Sequence, residues 1–269
     1  MKRAWRFVAA LFGTAGIACA QVTLLTNLTA YYPFDGTVTD GSGNGYDLTL
    51  SSGTGFATSF IGQALNPGGN VNHYATRTVN DSALNFGTAD FTVQIWVNYN
   101  GTSGEQVLVE KFTGQTGPGW TLTKLSSNAI AIATDAGAVP ILSSSALSIS
   151  LGAWHQFVAR RNGTSLDLFF DGASVAFSTI SAATSAATSD PLLVGRRDAA
   201  DGRGFSTNGS LDELAIWSRA LSNPEITALF NSGTGLALSS IPEPAHYATA
   251  VGLAAVAVAL RRRRSCGVT

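Results

Sequence analysis

Along most of the chain, short runs of alternating apolar and polar residues are separated by clusters of Gly, Asn, Asp and Ser. In Phe91-Thr92-Val93-Gln94-Ile95-Trp96-Val97, residues Phe91, Val93, Ile95 and Val97 fall on one face at period two, the spacing of a half-buried strand. Similar reasoning marks strands at 106–112, 120–125, 129–134, 174–177 and 211–217. Trp154 to Arg161 and Thr164 to Phe170 flank Asn162-Gly163, which predicts a hairpin with a type I′ turn, because both central residues must take φ > 0. Asp171-Gly172 repeats the device before Ser174. One interior segment reads as a helix. Ser222-Asn223-Pro224-Glu225 has the capping-box spacing with Pro in the first turn, Ile226, Leu229 and Phe230 follow at helical spacing, and Gly233 supplies a stop. Residues 178–189, rich in Ala, Ser and Thr, read as a surface loop. Many short strands with one short helix predict an all-β domain: a jelly-roll sandwich of two antiparallel sheets.

The two ends break this pattern. Lys2, Arg3 and Arg6 precede a short apolar run from Phe7 to Ile17, and Ala18-Cys19-Ala20 has the small-x-small form of a signal-peptidase site. Residues 1–20 are therefore expected to be a secretory signal peptide cleaved after Ala20. At the other end, Pro242-Glu243-Pro244 is followed by an apolar segment over 245–260 and then Arg261, Arg262, Arg263 and Arg264. A helix of that length spans about 24 Å, short of a ~30 Å hydrocarbon core. The arginines would hold its end on the cytoplasmic side. The physical expectation is a temporary membrane stop; an ordinary tail anchor is the alternative.

Charge sharpens the division. The whole chain carries 16 basic and 17 acidic residues, net −1. Residues 21–260 hold all seventeen acids but nine of the bases, net −8. Nucleic acid and anionic lipid are poor partners for such a surface. The two cysteines, Cys19 and Cys266, lie in the end segments, so the interior has no disulfide or thiolate metal site. An exported domain of this kind depends on its core.

The C-terminal arrangement resembles the PEP-CTERM sorting signal of Gram-negative bacteria, on Pro242-Glu243-Pro244, the apolar segment and the Arg cluster. That resemblance implies processing near Pro-Glu-Pro by an exosortase-type membrane transpeptidase, after transient anchoring in the inner membrane, and delivery to the cell surface or exterior. The interior resembles the concanavalin A-like laminin-G (LamG, pentraxin-like) domains. The matching blocks are Tyr31-Tyr32-Pro33-Phe34-Asp35-Gly36, Asp40-Gly41-Ser42-Gly43-Asn44-Gly45, Gly62-Gln63-Ala64-Leu65, Phe91 to Val97, Leu151-Gly152-Ala153-Trp154-His155, Leu168-Phe169-Phe170-Asp171-Gly172, and Gly209-Ser210-Leu211-Asp212-Glu213-Leu214. Trp217-Ser218-Arg219-Ala220-Leu221-Ser222 closes the series. The expected organisation is a signal peptide over 1–20, a LamG-like domain over 21–236, and a linker with sorting signal over 237–269.

Three chemistries follow. The first is calcium, which takes six to eight oxygen ligands. Asp35, Asp40 and Asn44 offer oxygens in one tight loop, and Asp212 would join them if the first and last strands pair; the resemblance implies a calcium site in such a place. The alternative is that Asp35 and Asp40 cap turns. The second is carbohydrate recognition, which uses aromatic platforms beside amide or carboxylate groups. Trp96, Trp154 and Trp217 stand in strand blocks and are expected to be packing. Tyr99, at a strand end, and Trp120, after Gly117-Pro118-Gly119, are the expected surface positions. The third is glycoside hydrolysis, which needs paired carboxylates on one face. No E-x-D-x-x-E pattern occurs, and neighbours Asp212 and Glu213 are expected to point to opposite faces. The sequence therefore reads as an exported, non-catalytic recognition module for extracellular polysaccharide or surface glycoconjugate. A structural or adhesive matrix protein that binds protein partners is the alternative, and a glycosidase a more distant one.

Overall fold

The computed structural model describes residues 24–112, 118–134, 141–198 and 204–241. The signal-peptide site at Ala20 and the sorting elements Pro242, Glu243, Pro244 and Arg261 to Arg264 lie outside the described residues. Asn27–Ala237 forms one compact unit. Among the described residues a second unit holds residues 24–26 and 238–241, the latter with a 3-10 turn at Leu238–Ser240. No helix among the described residues is long and apolar enough to cross a membrane.

Fifteen strands are described. The first five are β1 (Leu28–Tyr32), β2 (Thr49–Leu50), β3 (Gly55–Thr58), β4 (Gln63–Asn66) and β5 (Ala75–Arg77). The central five are β6 (Phe91–Tyr99), β7 (Gln106–Phe112), β8 (Gly119–Lys124), β9 (Ile130–Thr134) and β10 (Leu142–Ser143). The last five are β11 (Trp154–Asn162), β12 (Ser165–Phe170), β13 (Ala173–Thr179), β14 (Leu192–Val194) and β15 (Gly209–Trp217), and helix α1 (Asn223–Phe230) follows. They pair antiparallel into two sheets. One has eight strands in the order β13-β12-β11-β6-β15-β4-β3, with β1 also on β15; the other has seven, in the order β10-β9-β8-β7-β14-β5-β2. This is the jelly-roll sandwich expected from the strand pattern.

The core lies between the inner faces. Phe91, Val93, Ile95, Val97 and Tyr99 of β6 meet Leu108, Trp120, Leu122, Ile130, Ile132, Phe157, Leu166 and Leu168 in one buried cluster. Period-two alternation makes this possible, because each strand gives one full row to the interior. The loop over 180–191 also takes part: Ile180 and Ala186 are buried in the same core. It is therefore anchored, where composition alone suggested a free surface loop.

Two local details differ from expectation. At the β11–β12 hairpin, Asn162 pairs with Ser165, so the turn is Gly163-Thr164. Gly163 has φ +60, and neither Asn162 nor Thr164 takes positive φ. Glycine at the first central position is the type II′ arrangement, one residue later than the Asn-Gly pair suggested. The type I′ geometry occurs instead at Asp171-Gly172, with φ of 49 and 74, where Phe170 pairs with Ala173. Helix α1 ends at Phe230, and Asn231 caps it in the left-handed region at φ 49, two residues before Gly233. Its start is as expected: the Ser222 N–H donates to the Glu225 carboxylate at 2.8 Å.

Strand β15 positions the candidate site. Its C-terminal half pairs with β1, from Tyr32↔Leu214 to Leu28↔Trp217, while its N-terminal half meets β4 at Leu211↔Leu65. Two short strands thus share one side of β15. The changeover falls at an irregularity between Asp212 and Ala215 in the pairing with β6.

Candidate functional site

The four expected calcium ligands separate into two groups. Asp40 is consumed by its own turn. Its Oδ1 accepts the N–H groups of Tyr31 at 3.0 Å and Ser42 at 2.9 Å, and its Oδ2 accepts the Tyr46 N–H at 3.0 Å and the Ser42 hydroxyl at 2.9 Å. Asn44 Nδ2 donates to the carbonyls of Leu28 and Thr29, both at 3.0 Å. These two residues tie the loop to β1. Asp35 and Asp212 meet elsewhere, at the β3–β4 hairpin. Asp35 Oδ1 accepts the Gln63 N–H at 2.7 Å, and the Ser59 hydroxyl bonds the Asp212 carboxyl. The first and last strands do pair, as the calcium expectation required, yet the pairing brings Asp35, not Asp40 or Asn44, towards Asp212.

Glu213 joins this group, against the expectation that it opposes Asp212. Regular alternation would send its side chain to the core. Instead Glu213 takes φ 50, a left-handed conformation that is costly for a non-glycine residue, and β15 bulges. Its Oε2 accepts the Tyr31 hydroxyl at 2.7 Å, and its carbonyl accepts Gln94 Nε2 at 3.0 Å. Tyr31 alternates with core residues Ala30 and Tyr32 and so stands on the outer face. Asp212 and Glu213 therefore share that outer face, and both are fully buried. Burial pushes the Asp212 carboxyl up to about 9, reinforced by the charges of Glu213 and Asp35 and opposed by the Ser59 bond. Burial likewise pushes Glu213 up to about 8, with Asp35 adding and the Tyr31 bond opposing. Glu213 Oε1 is buried with no hydrogen-bond partner. Among the described residues, no three His, Cys, Asp or Glu side chains form a group able to hold a metal ion by themselves.

Aromatic residues cover the same face. Trp96 lies 4.8 Å from Phe60, in the β3–β4 turn, and stacks on Phe230 of α1 at 5.8 Å. Phe60 reaches on to Trp154 at 5.0 Å. Beneath this cover, Gln156, Trp96 and Asp212 stand side by side across β11, β6 and β15. Trp96 Nε1 and Gln156 Oε1 are both buried and unpartnered. The neighbouring outer row is Trp154, Asn98 and Ser210, and all three are half-buried.

The structure corrects both expected ligand-contact aromatics. Tyr99 and Trp120 are fully buried. Tyr99 stands at the end of β6, as expected, but it completes the inward row of that strand and packs edge-on to Phe157 at 6.2 Å. Trp120 is the inward neighbour of Leu122 in β8; its ring lies 5.5 Å from Phe86 and its Nε1–H reaches the Leu84 carbonyl at 3.4 Å. No ligand reaches either ring in this fold. Trp96 and Trp217 are buried as expected, whereas Trp154 reaches solvent. His155 is engaged at both nitrogens, with Nδ1 on Asp171 at 2.8 Å and Nε2 accepting the Ser150 N–H at 3.1 Å.

Two antiparallel sheets packed around one core define a two-sheet jelly-roll sandwich. The family comparison agrees: a model of the concanavalin A-like lectin/glucanases superfamily matches residues 67–227, and the chain belongs to that superfamily. No curated protein matches the chain. Among solved structures, the binding domain of Paraclostridial Mosquitocidal Protein 1 is similar at 22% identity and a TM-score of 0.62, over 78% of this chain and 53% of that one. Domain 4 of AbnA, a GH43 extracellular arabinanase from Geobacillus stearothermophilus, in complex with arabinotriose, is similar at 18% identity and a TM-score of 0.58, over 75% of this chain and 97% of that one. The binding domain of botulinum neurotoxin DC in complex with SialylT is similar at 14% identity and a TM-score of 0.59, over 77% and 52%. The chain spans about half the length of the two toxin domains and nearly all of the arabinanase domain. At these identities the likeness is one of fold.

Proposed function

We propose that this chain is an exported, non-catalytic recognition module that binds extracellular polysaccharide or a surface glycoconjugate. The observation that carries the reading is the match of fold, over almost its whole length, to an arabinanase domain whose structure holds arabinotriose. The state of the acidic residues supports the non-catalytic part. Asp212 and Glu213 are fully buried, Asp167 bonds Arg160, and Glu225 caps α1. Export rests on the end segments: signal peptidase would act after Ala20, and an exosortase-type enzyme near Pro242-Glu243-Pro244, with delivery to the surface or exterior of a Gram-negative cell. The test is binding of the purified secreted protein to an immobilised glycan panel, with mass spectrometry of its two ends. Failure to bind any glycan sinks the recognition reading; an intact Arg261 to Arg264 tail sinks the sorting reading.

Calcium belongs to the same proposal, with an altered ligand set. Asp212 and Glu213 would supply the carboxylates, and the orphaned Glu213 Oε1 is the observation that suits a cation there. Burial keeps both carboxyls protonated near neutral pH, so a bound Ca²⁺ would displace their protons and bind more tightly as pH rises. Thermal unfolding with and without EDTA tests it; an unchanged midpoint removes calcium from the reading.

A second reading has its own observation. Phe177, on edge strand β13, is 76% exposed, and β13 contains no charged residue. Such an edge favours a structural or adhesive role through protein contacts. Sedimentation of the secreted protein over a concentration series separates this from sugar recognition.

A further inference from the structure

We infer that the outer row Trp154, Asn98 and Ser210 of the eight-stranded sheet is the sugar-contact surface of this module, and that its ligand is a neutral oligosaccharide. The inference rests on the recognition reading above and adds the place and the class of sugar. Three observations carry it.

The first is exposure. Of the four tryptophans among the described residues, Trp96, Trp120 and Trp217 are fully buried, while Trp154 is half-buried. Its ring is held from one side by Phe60 at 5.0 Å, a fixed platform that loses little freedom when a ligand stacks on it. The apolar C–H face of a sugar ring is what such a surface accommodates.

The second is register. Trp154 pairs with Asn98, and Asn98 with Ser210, so an indole, an amide and a hydroxyl stand in line across β11, β6 and β15. Two strand spacings are about 10 Å, so the line suits a short oligosaccharide rather than a single ring. Asn98 Nδ2 donates to the Gly152 carbonyl at 3.1 Å, which fixes the amide. Among the described residues nothing bonds Asn98 Oδ1, the Ser210 hydroxyl or the Trp154 Nε1–H, and none of these three atoms is a buried orphan. They face water and are free to exchange it for sugar hydroxyls.

The third is charge. Beside the row stand Asp171, held by His155 and the Gln156 N–H, and the buried Asp212. Arg160 lies at the opposite end of β11, committed to Asp167 at 3.0 Å. A sialylated or uronic-acid sugar would find no cation in the row to pair with its own carboxylate and would meet the Asp171 side chain beside it, which selects a neutral ligand.

The experiment is calorimetric titration of the purified secreted protein with arabinotriose, cellotriose, laminaritriose and a sialylated trisaccharide. Trp154→Ala is expected to weaken binding of the neutral sugar about tenfold. Because Trp154→Ala also removes packing on Phe60, Asn98→Ala and Ser210→Ala are run alongside, with thermal unfolding of all three. Weaker binding in these variants with unchanged unfolding supports the site. Neutral-sugar binding that is equal in wild type and all three variants overturns the placement and leaves the recognition function standing. Binding of the sialylated sugar alone overturns the neutral class. Binding of no sugar, with capture of a protein that depends on Trp154, overturns both this inference and the reading it rests on.

Discussion

Tyr31 and Glu213, far apart in sequence, are joined by a 2.7 Å hydrogen bond that holds a carboxyl on the outer face of a strand whose alternation would have sent it inward. The bond ties β1 to β15 at the bulge where β15 exchanges one neighbour for another. It also satisfies one oxygen of a fully buried acid whose second oxygen has no partner.

Tyr31→Phe should therefore destabilise the domain by about 1–3 kcal/mol, the cost of leaving a buried polar group without its donor. Urea unfolding followed by tryptophan fluorescence measures it. A loss below the error of the measurement would mean that the carboxyl finds another donor.

The β3–β4 hairpin depends on Gly62. This residue has φ +60, and a Cβ there would stand 1.7 Å from Asp35 Oδ1. Gly62→Ala should displace Asp35 from the Gln63 N–H and cost about 1–3 kcal/mol from overpacking. If calcium binds beside Asp35, the same variant should lose part of its EDTA-sensitive shift in Tm, which differential scanning calorimetry reports.

Glu110 gives a pH signature. It is fully buried on β7 beside Arg197, and burial raises its carboxyl to about 7 although Arg197 pulls the other way. The folded protein thus keeps a proton that the unfolded chain releases near 4.5. Stability from this group is complete below that lower value, declines as pH rises towards 7, and is level above it. Glu110→Gln should remove this part of the decline. The wild-type minus variant difference in unfolding free energy, measured from pH 4 to 8, should slope across that window; a flat difference contradicts the assignment.

Phe177→Lys should leave unfolding within about 0.5 kcal/mol, since the side chain is mostly in water. Phe177 pairs across the strands with Asp167, which is already held by Arg160, so the lysine would gain no new ion pair there. Lysine blunts an edge strand. Self-association in sedimentation should fall if β13 is an adhesive edge and stay constant if it is not.

Much of the fold was legible because its signals are local. The β7 bounds and the Ser222–Glu225 cap were readable from spacing, and β6, β11, β12 and β15 differed from the reading by only one or two residues at their ends. Strands β1 to β5, β10 and β14 were not marked as strands; β2 and β10 have two residues each, too few to show a period. Part of the candidate site was legible too: Asp35 and Asp212 were named from the chain alone. Glu213 was missed because nothing in a run of residues announces a bulge on a non-glycine position.

The sequence by itself determined the class of this protein: a two-sheet β-sandwich with one capped helix and an acidic, cysteine-free interior. Alternation, turn residues and charge are properties of neighbours along the chain, and they survive without knowledge of the partner strands. Only the tertiary structure decided which faces are covered. It buried Tyr99 and Trp120, left Trp154 half-buried, and turned Glu213 beside Asp212. The physical reason is that alternation states which side chains share a face, whereas burial depends on what the rest of the chain lays over that face.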